Sequence, residues 1–501
     1  MCWCSACSEA SVLSMRSGSL LAAALASILL VGCGALVPKL PVEKSGIPAQ
    51  WPLPPSTGTG LQLPQPVTTS ADNTPTTDNT PVNGKAVADV GWRDFFVDPN
   101  LEELIALALA NNRDLRVAVL NVERASAQYR IQRAARVPSL VATGAVTRAG
   151  GEALPVTEDA SVTAGVAGFE LDLFGRVRNL SVAQLQRYFA EEAARRAAQL
   201  SLVAAVANAY LTLGADRELQ RVAQEALENR QQALTLTRER HKLGAVSALD
   251  VSQAETEVET ARTDAARYSG QVARDVNALT LLAGAPIDQA LLPSHFDLRV
   301  SGLGELPAGL PSEVLLRRPD VRQAERLLRA ANANIGAARA ALFPSISLTG
   351  RAGYTSEELS GVFDSGTRIW SFSPQVNLPI FTGGRNLANL KSARVDRDIA
   401  LAQYEETIQS GFREVADGLA LTQTLAEQKA SQEALVAAAK RADELSRARY
   451  ESGRDSFLVL LDAQRTLYGA QQSLIATQLA EQANRVLLYK VLGGGWNETT
   501  R

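Results

Sequence analysis

The amino-acid sequence predicts a mainly α-helical fold with a small β part, laid out as two copies of one unit. Three observations predict it. The chain of 501 residues repeats itself once, at a spacing of about 206 to 209 residues. Each copy holds a proline-free helical stretch far longer than an ordinary globular helix. Each copy also holds segments that alternate every second residue, the period of a strand.

The repeat is carried by residues that helical similarity alone would not keep in register. Pro138-Ser139 and Thr143-Gly144 recur as Pro344-Ser345 and Thr349-Gly350. Asp114 and Arg116 match Asp320 and Arg322, and Leu171, Phe174, Arg178 and Asn179 match Leu378, Phe381, Arg385 and Asn386. Arg238, Arg240, Gly244, Ser247 and Leu249 match Arg447, Arg449, Gly453, Ser456 and Leu458, and Gly284 matches Gly493. Within each copy the order is helix, strand pair, long helix, break, long helix. The first helix is expected from Pro99 to Arg136, stopping before Pro138 because a proline disfavours helix in the residue ahead of it. Its counterpart is expected from Pro319 to Leu342.

Four strands follow from alternation. The clearest is Trp370 to Ile380: Trp370, Phe372, Val376, Leu378 and Ile380 fall on one face, and Ser371, Ser373, Gln375 and Asn377 on the other. That pattern suits a barrel wall with lipid outside and water inside, and equally a strand of a soluble sandwich. Pro374 requires an edge or a bulge. The other strands are expected near Ser139–Arg148, Ser161–Phe174 and Ser345–Tyr354. Four strands cannot close around a pore, so a membrane barrel demands several copies of the chain.

The long helices are expected from Arg176 to Leu243 and from Arg385 to Ser452, each reaching roughly 100 Å at the helical rise. The returning helices carry heptad seams, Val251, Ala254, Val258, Ala261, Ala265, Tyr268 and Val272 in one and Leu460, Ala463, Leu467, Ala470 and Leu474 in the other, which drive coiled-coil pairing. Gly244 and Gly453 mark the reversals, where a positive φ can end a helix. Two long hairpins and four strands, alike in both halves, suggest a tube.

The N-terminus gives the compartment. An apolar run from Leu20 to Val31 is too short to cross a bilayer as a helix and ends on Val31-Gly32-Cys33, the pattern of a bacterial lipoprotein signal. Its basic flank is Arg16, and Met15 is a candidate start. An uncleaved anchor or a buried helix is the plainer alternative. Cleavage would leave Cys33 as the lipidated N-terminus and remove Cys2, Cys4 and Cys7, so the mature chain could form no disulfide. No other segment reaches the length of a membrane helix, so any crossing must use strands. The Pro-, Thr- and Ser-rich stretch from Pro38 to Lys85 reads as an extended tether. The expected organisation is a signal over 1–32, a lipidated N-terminus and tether over 33–90, a first repeat over 91–300, a second over 301–496 and a tail over 497–501.

Balanced charge, 50 Lys and Arg against 53 Asp and Glu, argues against nucleic acid as a partner. The mature chain has two histidines, His241 and His295, and no HExxH, CxxC, phosphate loop or nucleophile elbow, so nothing assembles an enzyme. A coiled-coil spacer or stalk lipoprotein is the other rival. It leaves the matching strand pairs unexplained.

Several stretches resemble the TolC/OprM-type outer-membrane factors, in their NodT-type lipoprotein branch. They are Trp92-Arg93-Asp94-Phe95-Phe96-Val97-Asp98-Pro99, Leu171-Asp172-Leu173-Phe174-Gly175-Arg176, Leu461-Asp462-Ala463-Gln464-Arg465 and Leu492-Gly493-Gly494-Gly495-Trp496. The resemblance spans Trp92 to Trp496. It implies a homotrimer with a twelve-stranded β-barrel, four strands per chain, continuous with a long α-helical periplasmic barrel. It implies an outer-membrane exit duct for drugs and toxic small molecules, opened at its periplasmic tip by a periplasmic adaptor and an inner-membrane pump of the resistance-nodulation-division class. Ducts for metal efflux or type I protein secretion share the pattern. No cofactor is implied beyond the lipid at Cys33, and Gly34 after it favours the outer membrane.

By the same resemblance Leu458 and Asp462 match gate positions. They lie four residues apart on one helix face, and symmetry would make them a leucine ring and a carboxylate ring. Their first-repeat counterparts are Leu249 and Gln253. The plainer readings are a core leucine and a carboxylate paired with Arg465 one turn on. Tyr450 and Asp250 match positions that tie neighbouring hairpins shut in the TolC branch, although the basic residue completing those links corresponds here to Asp455, beside Arg454. Surface polarity on a coiled coil is the alternative for both. The tips around Gly244, Ser247, Gly453 and Ser456 are the expected adaptor contacts.

Overall fold

A computed structural model of the chain describes residues 36–41, 48, 51, 89–296, 312–495, 497 and 499. The expected signal, Met15, Cys33, Gly34, nearly all of the tether and Trp496 lie outside the described residues. The chain divides into two compact units, and each draws on both repeats. The first takes Asn121–Glu192 and Gln323–Glu405, with residues 36–41. The second takes Ala193–Arg322 and Glu406–Arg501, with residues 89–120.

The elements follow the expected order. α1 (Trp92–Phe95), α2 (Pro99–Asn111) and α3 (Arg113–Ala134) precede the strand pair β1 (Leu140–Gly151) and β2 (Leu154–Leu171). The long helix α4 (Arg176–Lys242) returns as α5 (Ala248–Ala283). The second half repeats this with α6 (Pro319–Ala340), β3 (Ser345–Ser356), β4 (Arg368–Asn377), α7 (Arg385–Glu451) and α8 (Phe457–Val491).

Four expectations need correction. The single helix from Pro99 breaks at Asn112, whose backbone is extended (ψ 131). Its side chain explains the break: Oδ1 accepts from the Leu115 N–H at 2.9 Å and so starts α3, while Nδ2 donates to the Leu282 carbonyl at 2.9 Å. Asparagine favours such local backbone bonds over continuing a helix. The strand expected to reach Ile380 ends at Asn377, and β2 begins earlier than expected, at Leu154. One window of α4 is also long and apolar enough to cross a bilayer by composition, but 56% of it is buried within the protein, as in a core helix.

The first unit is organised by an antiparallel sheet in the order β1-β2-β3-β4. Directly paired residues share a face, so the register sorts the side chains. The rung Val146↔Ala160 and the rungs Leu140↔Val166, Gly350↔Phe372, Ala352↔Trp370 and Ile346↔Val376 make one continuous apolar face. The alternate rungs Thr143↔Thr163, Thr349↔Ser373 and Ser347↔Gln375 make a polar one. Trp370, Phe372 and Val376 remain exposed, Trp370 by 79%. β4 is an edge strand within the chain, and Pro374, opposite Leu348, therefore costs no internal ladder bond.

Below the sheet, the family-like stretch around Phe174 turns the chain into α4. Gly175 takes a positive φ of 75°. The Asp172 carboxylate accepts the Val177 and Arg178 N–H groups at 3.0 and 2.6 Å, satisfying two orphan donors of the helix start. Phe174 stacks on Phe343, in the turn between α6 and β3, at 4.8 Å. Ile335, Leu390 and Ala393 form the local core. Residues 36–38 lie on α6, where Arg339 and Asn332 donate to the Leu36 and Pro38 carbonyls at 2.9 and 2.8 Å.

The second unit has its largest buried side chains where the first family-like stretch meets α8. Trp92, Phe95 and Phe96 are buried, and Tyr489 stacks on Phe95 at 3.8 Å and donates to the Val90 carbonyl at 2.8 Å. A side chain at Gly494 would collide with the Tyr489 ring, which accounts for glycine at the chain's ending. Arg318 is buried beside them and donates to Asp320, Glu414 and the Val491 carbonyl at 2.7 to 3.0 Å.

Candidate functional site

The site lies in the second unit, where the two helical hairpins reverse. Both reversals are built alike. Gly244 and Gly453 each take φ 73°, and each closes its helix with a Schellman pair: Gly244 N to His241 O and Ala245 N to Arg240 O, then Gly453 N to Tyr450 O and Arg454 N to Arg449 O, all at 2.9 Å. A Cβ at either glycine would meet nothing, so φ and not crowding demands glycine there. Gly244, Ser247, Gly453 and Ser456 are all exposed.

Behind the tips the four helices share one core of Leu234, Ala254, Val258, Tyr450, Phe457, Leu460 and Leu461. The seam residues Ala254, Val258, Ala261, Leu460 and Ala470 are buried as their spacing predicts. At the start of α8 this burial fixes the opposite face. Phe457, Leu460 and Leu461 point into the core, so Leu458 and Asp462, one turn apart, point away from it. Leu458 is 59% exposed, so the plainer reading of it as a core leucine does not hold within the chain.

Arg465, the plainer partner for Asp462, makes no direct ion pair with it, although the Asp462 charge still acts on the guanidinium. Arg465 reaches instead across to Glu257 on α5, which also lies 3.4 Å from the buried Arg230. Among the described residues Asp462 has no ion pair. Glu257 sits between two guanidinium groups and is only 4% exposed. A carboxylate so placed ties α4, α5 and α8 together, and its hydrogen bond pushes Arg465 further toward the protonated state. Tyr468 donating to Asp264 at 3.2 Å and Gln472 donating to Tyr268 at 3.1 Å continue the α5–α8 contact up the helices. The helical periodicity carried no signal for these links, because each joins polar residues about 200 positions apart.

Tyr450 and Asp250 are each committed inside the chain. Tyr450 is 2% exposed, with Arg240 over its ring at 4.5 Å. Its hydroxyl lies 2.9 Å from Thr237 Oγ1, whose own proton goes to the Ala233 carbonyl, so Tyr450 is the donor. Arg240 also donates to the Tyr450 and Glu451 carbonyls, both at 2.8 Å. Asp250 closes a capping box with Ser247: it accepts the Ser247 N–H at 2.8 Å while Ser247 Oγ accepts the Asp250 N–H at 3.2 Å. Asp455 accepts a fork from Arg449 at 2.5 and 2.8 Å, and this bond holds its carboxyl below the usual range. Among the described residues no three His, Cys, Asp or Glu side chains are grouped to hold a metal ion.

A sequence model of the outer membrane efflux proteins matches residues 104–285 and 310–494. The chain belongs to the outer membrane efflux protein family. The probable efflux pump outer membrane protein TtgC of Pseudomonas putida is 46% identical over 96% of each chain, and the outer membrane protein OprJ of Pseudomonas aeruginosa is 45% identical over 83% of this chain and 88% of its own. Among solved structures, the open state of the MtrE outer membrane channel of Neisseria gonorrhoeae superposes with a TM-score of 0.78 at 40% identity, covering 88% of this chain and 99% of that one. The CusC channel gives 0.74 at 39% identity, covering 85% and 100%. The chain is thus an outer-membrane efflux channel, and the family is one of transport channels and not of enzymes. The sheet, with one apolar and one polar face, is the part of this chain that suits such a role.

Proposed function

We propose that three copies of the chain close a twelve-stranded barrel and act as the passive exit duct of a three-part efflux system, anchored by lipid at Cys33. The sheet supports this: its apolar face is exposed in the single chain, and four strands need partners to close around water. In this reading residues 91–300 and 301–496 are the duplicated repeats. A periplasmic adaptor meets the tips at Gly244, Ser247, Gly453 and Ser456, and a proton-driven inner-membrane pump of the resistance-nodulation-division class supplies the energy. The cargo is small and toxic, in keeping with relatives named for antibiotic, toluene and solvent efflux.

Leu458 and Asp462 form the gate. The single observation that carries this is their shared face, turned away from the hairpin core, with the Arg465 that could have neutralised Asp462 committed to Glu257. Copies around an axis would turn that face into an apolar constriction and a carboxylate ring, which excludes water and favours cations. Tyr450 acts as a latch within the chain, tying hairpin two to Thr237 and Arg240 of hairpin one, while Asp250 supports the tip of hairpin one. The test is the double variant Leu458→Ala, Asp462→Ala in planar bilayers and in cells. Its closed-state conductance is expected to rise several-fold (order of magnitude from removing a hydrophobic constriction), with sensitisation to vancomycin. Conductance equal to the unaltered protein would refute the gate.

A further inference from the structure

The polar face of the sheet is mostly hydroxyls, and its few charges are informative. Glu170, near the helical base, is forked by Arg176 at 2.8 and 2.5 Å and is neutralised. Asp159, toward the strand hairpins, accepts a hydrogen bond from Thr355 at 3.1 Å. Arg351 stands in the middle of β3, exposed, and its Nε donates only to Ser371 Oγ, at 3.2 Å. Among the described residues no carboxylate pairs with it.

Its surroundings keep it clear. The cross-strand neighbour of Arg351 on β2 is Gly165 and on β4 is Ser371. A Cβ at Gly165 would lie 2.1 Å from the Gly350 carbonyl oxygen and 2.6 Å from the Arg351 Cα, so the close approach of the two strands forbids a side chain there. The guanidinium therefore stands between a bare backbone and a small hydroxyl. On the opposite face the adjacent rungs carry Trp370 and Phe372, aromatic residues of the kind that flank the lipid-facing band of a membrane barrel.

We propose that Arg351 is a charge filter in the strand-built part of the duct, favouring anionic solutes and the carboxylate, sulfonate or phosphate groups of passing cargo. This rests on the channel reading above. Identical copies closing the barrel place every Arg351 at one height, so the wall carries a girdle of guanidinium groups facing water. Such a girdle concentrates anions, depletes cations and offers a planar fork to oxyanions. Its sign is opposite to that of a carboxylate ring at Asp462.

The test uses the full-length protein in planar bilayers under a KCl gradient, comparing the unaltered protein with Arg351→Gln, Arg351→Glu and Arg351→Lys, each also with Asp462→Ala so that the tip does not mask the barrel. At about 0.1 M salt the K⁺/Cl⁻ permeability ratio is expected to rise on the order of twofold for the glutamine variant and further for the glutamate variant, shrinking at about 1 M as screening shortens. The lysine variant keeps the charge and should match the unaltered protein. Pores whose ratio is unchanged by glutamine and glutamate in both backgrounds would overturn the assignment of Arg351, as would a lysine variant that shifts as far as glutamine. If the unaltered protein itself forms no pores, it is the channel reading that fails.

Discussion

The two hairpin tips share one backbone and differ in nearly every contact around it. Hairpin one supports itself: Ser247 and Asp250 cap α5, and the Asp250 position is Val459 in hairpin two, where Ser456 makes no side-chain cap. The matched arginines part ways too. Arg449 folds back onto Asp455 of its own turn, whereas Arg240 reaches out to two carbonyls at the end of α7 in hairpin two. Where hairpin one has the exposed His241, hairpin two has the buried Tyr450. Duplication kept the turn and reassigned the donors, so the end of α7 carries, besides its own Schellman pair, two hydrogen bonds from Arg240 of hairpin one.

That asymmetry can be broken at its strongest point. Tyr450→Ala removes a fully packed ring and is expected to cost about 3 kcal/mol or more of local stability, as aromatic truncations in cores do. Hydrogen exchange at the end of α7 and the start of α8 would report it, with His241→Ala leaving the matching amides of hairpin one nearly unchanged. A smaller contrast sharpens the comparison. Ser247→Ala should cost about 1 kcal/mol at the start of α5, the usual worth of a cap, and Ser456→Ala should leave α8 as it was. Equal effects on the two helices would dissolve the distinction between them.

The smallest effect is a pH dependence of opposite sign in the two hairpins. Burial, with a hydrogen bond and charge from Asp275, pushes the Asp216 carboxyl of hairpin one up to about 6 from an ordinary 3.8. The folded state then holds a proton the unfolded chain has lost, so this pair weakens hairpin one as pH rises from about 4 through 6. In hairpin two the position matching Asp275 is Asn484, which cannot titrate and donates to the Gly418 carbonyl at 2.9 Å. Hairpin two instead has Asp455, held low by Arg449, whose support is present above the unfolded value and is lost as pH falls through the folded one. Asp216→Asn should therefore stabilise hairpin one at pH 8 relative to pH 4, read by the same exchange experiment, and leave hairpin two's acid sensitivity in place.

Much of the fold was legible because it is written in local periodicity. The absence of proline marked the long helices to within about a residue, Gly244 and Gly453 marked both turns, and alternation marked all four strands. What stayed hidden depends on polar partners far apart in sequence. Asn112 breaks a helix by bonding Leu282. Arg465 leaves Asp462 for Glu257. Arg351 acquires its meaning only when the register puts Gly165 beside it. Spacing alone placed Leu458 and Asp462 on one face, but only the burial of Phe457, Leu460 and Leu461 shows which way that face turns.

The sheet's two outer strands have a consequence for biogenesis. β1 and β4 each have one neighbour within the chain, so each leaves a row of backbone groups without a partner there, shortened by one donor at Pro374. In hydrocarbon every such group costs several kcal/mol. In the proposed trimer a solitary subunit half-sunk in lipid is therefore a forbidden intermediate, and stoichiometry has to be settled before or during insertion. A defective copy that still pairs would spoil whole ducts, and one that cannot pair would be left behind in the aqueous space for proteases.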